Sequence, residues 1–167
     1  PKQLPRLGLW FRLNQNLEAM TYYGRGPWEN YIDRNTSSFI GRWDSTVAEQ
    51  FERYSRPQDN GYKTDVRWVE FYQPGGRGIR FESDKPMFMQ ALHYEAMDMN
   101  LSRNNAFEFT RVNPIREQRD IFLNLDVRQC GLGQASCGPI PLEKYQFDPT
   151  EQLEWELRIS PASKREK

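Results

Sequence analysis

Three stretches of the chain alternate apolar and polar residues with a period of two. Leu7, Leu9, Phe11 and Leu13 are interleaved with Gly8, Trp10 and Arg12. Ile121, Leu123, Leu125 and Val127 are interleaved with Phe122, Asn124, Asp126 and Arg128, and Leu153, Trp155, Leu157 and Ile159 with Glu154, Glu156 and Arg158. Successive side chains of a strand point to opposite faces, so this pattern predicts three half-buried β-strands. Weaker strand signals cover residues 17–23, 62–72, 78–83 and 86–93. Turn chemistry separates them: Asn14-Gln15-Asn16 reads as a short hairpin connection, and Pro74-Gly75-Gly76 closes a hairpin between two strands. Further turn signals are Gln58-Asp59-Asn60-Gly61 and Gly131-Leu132-Gly133. Helical periodicity is scarce. Residues 37–53 have room for a turn or two, and residues 102–108 for another. Several strands with polar outer faces and little helix predict an all-β, antiparallel sandwich. No repeat, linker or low-complexity run divides the chain, so residues 1–167 read as one domain with its core at about 4–160.

Composition narrows the function classes. Lys plus Arg equals Asp plus Glu at 23 each, which gives no basic excess for displacing counterions from nucleic acid. Apolar runs reach about five residues, far short of the ~20 a membrane-spanning helix needs, so no membrane partner is expected. The opening Pro1-Lys2-Gln3-Leu4 has no signal-peptide pattern, and the compartment (cytoplasmic, periplasmic or secreted) stays open. Aromatic residues make up 14% of the chain; most are expected in the core and in cross-strand pairs, with a few available to stack on sugar rings. Cys130 and Cys137 are expected as free thiols, because a metal site would need more Cys or His nearby and His93 is distant in sequence. No metal or other cofactor is expected. His93, the only histidine, reads as a structural residue, and no nucleophile elbow or phosphate loop occurs. A pair of glycosidase carboxylates could always be imagined among 23 acids, but most, like Glu154 and Glu156, occupy the polar positions of strands.

Two segments carry more information. Tyr23-Gly24-Arg25-Gly26-Pro27-Trp28-Glu29-Asn30-Tyr31-Ile32-Asp33-Arg34 resembles the Gly-x-Gly-Pro-x-Glu-Asn-Tyr-x-Asp-Arg stretch of family 2 β-galactosidases. Tyr54, followed by Arg56-Pro57-Gln58-Asp59-Asn60-Gly61 and then Arg67, is similar to that family's Tyr-x-x-Pro-x-Glu-Asn-Gly turn and the strand after it. A third match runs from Leu123-Asn124-Leu125-Asp126 to the glycine loop Gly131-Leu132-Gly133-Gln134-Ala135-Ser136-Cys137-Gly138-Pro139. The three occur in the family's order and cover the chain from about Leu4 to Ile159. The resemblance implies the last domain of such an enzyme, with the supersandwich fold shared with galactose mutarotases. It implies no catalytic residue in this chain, an upstream catalytic domain as partner, a β-galactoside as substrate, and room for an oligomer in the full enzyme. In one form of the family the glycine loop ends in Ser-Trp, and the Trp stacks on sugar in the active site. Here the loop is one residue shorter and Cys137 follows Ser136, so the stacking role does not carry over; Ser136 and Cys137 remain the substrate-binding candidates. No mutarotase activity is expected. A stand-alone carbohydrate-binding module using Trp10, Trp28 or Trp43 is the alternative.

Apart from the resemblance, the motifs have local physical roles. Gly24 and Gly26 suit left-handed backbone or close approach, and Arg34, Arg56 and Arg67 suit ion-pair braces to Glu29, Asp33 or Asp59.

Overall fold

The computed structural model describes residues 4–54, 59–100, 117–131 and 140–164, with the backbone only at Met97 and Asn100. Among these residues seven strands form one antiparallel sheet: β1 (Arg6–Leu13), β2 (Ala19–Gly26), β3 (Phe39–Thr46), β4 (Lys63–Tyr72), β5 (Arg77–Leu92), β6 (Ile121–Gln129) and β7 (Leu157–Ser163). The strand order is β1-β6-β5-β4-β2-β3, with β7 also pairing β5. A single helical turn, α1 (Ala96–Asn100), follows β5. The sheet is not closed into a barrel, and the fold is all-β of the sandwich type, as the strand pattern predicts.

β5 organises the sheet. Its first half, residues 77–83, pairs with β7, and its second half, residues 88–92, pairs with β6. β4 runs along both halves, but between the pairs Val66–Met87 and Trp68–Glu82 a single β4 residue faces Ser83, Asp84, Lys85 and Pro86. That surplus is a corner. Phe11 shows how sharp it is: Phe11 is opposite Leu123, which is opposite Ala91, yet its ring lies 5.2 Å from that of Phe81. A straight strand would put Phe81 roughly 30 Å from Ala91. The sheet therefore curls over its own apolar face and buries Met20, Tyr22, Val69, Phe71, Phe81, Met87, Met89, Leu123 and Leu125 between the two arms.

Several sequence expectations change in this context. The two strand signals at 78–83 and 86–93 are one bent strand. Asn14-Gln15-Asn16 does form a turn, with the Leu17 amide donating to the Asn14 carbonyl at 3.0 Å, but it is no hairpin: β1 and β2 lie in different parts of the sheet. Residues 37–53 are mainly the edge strand β3, with one 3₁₀ turn at Ala48–Gln50. β3 begins with two successive exposed apolar residues, Phe39 and Ile40, and no residue of the strand is fully buried. Pro74-Gly75-Gly76 does close the β4–β5 hairpin, with both glycines at positive φ. Within β6, Phe122 occupies a position expected to be polar and is buried, with Trp10 stacked on its ring and the Arg12 guanidinium 6.0 Å from its centroid. Ile159 is exposed although its strand pattern points it inward, while Trp155 and Leu157 pack on the core. The helical signal at 102–108 lies outside the described residues. No helix among the described residues is long and apolar enough to cross a membrane.

Candidate functional site

The first two motifs, far apart in sequence, meet on one carboxylate. Glu29 follows β2 and is buried at its side chain, 7% exposed. Its Oε1 accepts from the Arg34 guanidinium and the Tyr54 hydroxyl, and its Oε2 accepts from the Gly61 amide at 2.8 Å. Arg34 is thus the brace its spacing suggests, and its guanidinium also lies 4.9 Å from the Tyr31 ring centroid. The next residue completes the join. Asn30 donates to the carbonyls of Arg25 (3.0 Å) and Trp28 (2.9 Å) and accepts from the Thr64 amide (2.9 Å) and hydroxyl (2.7 Å). An amide side chain can fill donor and acceptor roles together, which a carboxylate cannot. Gly61 sits at φ 78°, and a Cβ there would lie 2.6 Å from the Gln50 carbonyl oxygen, so glycine is required twice over. Gly24 is a close approach instead: a Cβ would meet the Val66 backbone at 2.8 Å. It does not adopt positive φ.

Arg25, between the two glycines, reaches across to Asp65 at 2.8 Å and to the Ser38 carbonyl at 2.9 Å. Asp65 holds φ 56° at the β4 bulge, a conformation Asp tolerates better than most residues. Arg67 turns back to the Asp65 carbonyl rather than to an acid and lies 5.8 Å from the Tyr23 ring centroid. Lys63 is buried beneath this join, where its ammonium donates to the Gly61 carbonyl at 3.3 Å. Burial lowers its pKa to about 8, with Glu29 and Glu52 opposing the shift.

Beside it runs a second network that draws on the second and third motifs but also on Arg6, Tyr62 and Gln90, which belong to none. The Tyr62 hydroxyl donates to Asp126 at 3.0 Å, and Arg6 contacts Tyr62 and reaches Asp59 at 3.4 Å. Gln90 donates to Asp59 and to the Asn60 carbonyl, both at 2.6 Å, and accepts from Asn124 at 2.8 Å. Two carboxylates share one guanidinium here. Burial pushes the Asp126 carboxyl up to about 6, with Arg6 and Tyr62 opposing the shift; burial also raises Asp59 and holds the Tyr62 phenol well above its ordinary value. Asn124 and Asp126 belong to the third motif, whose alternation marks them as outward polar positions; only the curled sheet and the covering loops bury that end of the face. Gln90 stands among apolar β5 neighbours, and that was the one available signal.

The third motif also touches the first. A Cβ on Gly131 would lie 2.7 Å from the Asp33 carboxyl carbon, so the glycine is needed for Asp33 to pack against the strand end. The Gly131 amide donates to the Tyr145 carbonyl at 2.8 Å, and the Cys130 amide to the Pro5 carbonyl at 2.8 Å. Cys130 is buried, and burial raises its thiol pKa. Ser136 and Cys137, the substrate-binding candidates, and Arg56, one of the expected braces, lie outside the described residues. His93 is buried between the Glu18 carboxylate at 2.8 Å and the Asp120 carbonyl at 3.2 Å, a structural placement. No cluster of metal-ligating side chains occurs among the described residues.

A curled antiparallel sheet whose motifs are joined by buried polar braces defines an all-β fold of the sandwich type. The chain belongs to the family described as the β-galactosidase small chain, whose sequence profile matches residues 1–159. It is 31% identical over 138 residues to a β-galactosidase of Arthrobacter sp. (strain B7), covering 81% of this chain and 13% of that protein. A β-galactosidase of Priestia megaterium is 37% identical over 97 residues, covering 58% of this chain and 9% of the relative. A β-galactosidase of Halalkalibacterium halodurans is 28% identical over 160 residues, covering 95% of this chain and 15% of the relative. The chain thus spans a small part of the length of the curated relatives it matches.

Proposed function

We propose that this chain is a non-catalytic domain of a family 2, retaining β-galactosidase that hydrolyses terminal non-reducing β-D-galactose residues. Its partner is the upstream catalytic domain, against which it packs to help shape the carbohydrate site. The observation that carries this reading is the small-chain family match over residues 1–159, in a chain that spans only 9–15% of the β-galactosidases named above. The pairing of the carboxylates supports it. Glu29 and Asp126 are engaged by the fold's own donors, and Glu70 and Glu82 both pair with Arg80. A retaining pair must instead face an open cleft with its carboxyl groups about 5 Å apart.

Ser136 and Cys137 are our candidates for contact with sugar from the glycine loop. In the intact enzyme, Cys137→Trp is expected to change KM or kcat with little loss of thermal stability, and Cys137→Ser to be mild. A lower melting temperature with unchanged kinetics would make Cys137 a packing residue instead. The main test deletes residues 4–160 from the whole polypeptide. Hydrolysis of an aryl β-galactoside should collapse, and the isolated chain should show none. Full activity without the domain, or turnover that tracks with the purified chain, would overturn the reading. Exposed Trp10, stacked on Phe122 at 6.0 Å with much of its ring open, favours the second reading, a carbohydrate-binding module. Quenching of the isolated chain's tryptophan fluorescence by galactosides would support that alternative.

A further inference from the structure

We infer that the surface formed by Trp28, Arg34, Tyr54 and Phe39 is the face by which this domain docks on the remainder of its β-galactosidase polypeptide. The inference rests on the proposed function and identifies the surface that the packing would use. Trp28 is 66% exposed, Phe39 70% and Tyr54 37%, and the Arg34 side chain is 49% exposed. Phe39 is opposite Gly26 in the β2–β3 pair, two residues before Trp28, so both residues lie at one end of the sheet. Trp, Tyr and Arg are the residue types that dominate binding energy at the centres of interfaces.

The support beneath this surface is the stronger part of the case. Glu29 ties Arg34 and Tyr54 together from below, and Asn30 fixes the Trp28 carbonyl. The same braces that join the loop to the start of β4 also hold its exposed side chains in place. A rigid loop loses less conformational freedom on docking, so more of the contact energy is kept. The occupant follows from length. The matched relatives extend far beyond the 9–15% that this chain covers, so in such a protein the rest of the chain is tethered to this domain at high effective concentration. Asp33, in the same motif, packs against Gly131 and joins the surface to the neck of the glycine loop. The complementary surface is an apolar slot for Trp28 and Phe39, with a carboxylate or carbonyl acceptor opposite Arg34.

Hydroxyl-radical footprinting of the intact, active polypeptide tests this directly. Oxidation of Trp28, Phe39 and Tyr54 should be strongly suppressed relative to the same polypeptide in denaturant. In a Trp28→Asp variant of the intact enzyme, Phe39 and Tyr54 should become reactive while core Phe81 stays protected, which shows that the domain is still folded. Free oxidation of Trp28 in the active enzyme overturns the inference. So does protection that disappears when dilution separates the subunits, because a second copy would then be the occupant. If Trp28 is freely oxidised but deletion of residues 4–160 still abolishes hydrolysis, the docking face is wrong and the proposed function stands. If deletion leaves activity intact, the proposed function itself fails.

Discussion

Asp126 has almost no access to water, and its neighbours include a second carboxylate, Asp59, with Arg6 between the two as counter-charge. Its folded-state pKa of about 6 lies above the unfolded value near 3.9. The folded protein therefore holds this proton more tightly, and the resulting stability is fully present below about pH 4 and lost as pH rises through about 6. The contribution is on the order of 3 kcal/mol. Asp126→Asn keeps an acceptor for the Tyr62 hydroxyl and removes the charge. Urea unfolding should show the variant gaining on the parent between pH 4 and pH 7; equal differences at both values would mean the carboxylate is not strained. Glu29→Ala strands the Gly61 amide and releases Arg34 and Tyr54, at an expected cost of about 2–3 kcal/mol in chemical denaturation. The figure is below that of a fully buried pair because Arg34 is half-exposed and can be rehydrated. A loss under about 0.5 kcal/mol would place Glu29 in the ordinary class of surface ion pairs.

At the scale of elements, the corner in β5 turns a single sheet into two facing arms. Phe81 is its central side chain, touching Phe11 from β1 and Phe71 from β4. Phe81→Ala should destabilise by about 3–5 kcal/mol. Phe11→Ala should cost less, since Phe11 is only half-buried. A double-mutant cycle between them should give a coupling of about 0.5–1.5 kcal/mol, the range for a buried aromatic pair. Additive effects would mean that β1 does not fold back over β5. Strands that pack on one face, such as β2 and β4, were legible from their apolar residues. β3 was not, because an edge strand with exposed Phe39 and Ile40 lacks the period that reveals a half-buried strand. Nor was the pairing of β1 with β6 legible: a turn at Asn14-Gln15-Asn16 reports a change of direction and says nothing about the neighbour the strand will find.

For the whole molecule, the sequence alone determined the class of fold, the family and the local conformations that particular residues enforce. Alternation of apolar residues specifies strands because side-chain direction is a property of the backbone. Asn60-Gly61 and Pro74-Gly75-Gly76 specify turns because glycine alone is free of the Cβ clash at positive φ. Arg34 was readable as a brace from its nearness to Glu29. The tertiary structure alone decided which motifs meet. Glu29 finds Gly61, Arg6 finds Asp59 and Tyr62 finds Asp126 across long stretches of chain. Such contacts depend on where the β5 corner directs each arm of the sheet. Burial of Asp126 followed from the same cause: its strand pattern assigns it to the outer face, and only the loops folded over that face remove the water. Partner and burial are properties of the assembled surface, to which each residue contributes one side.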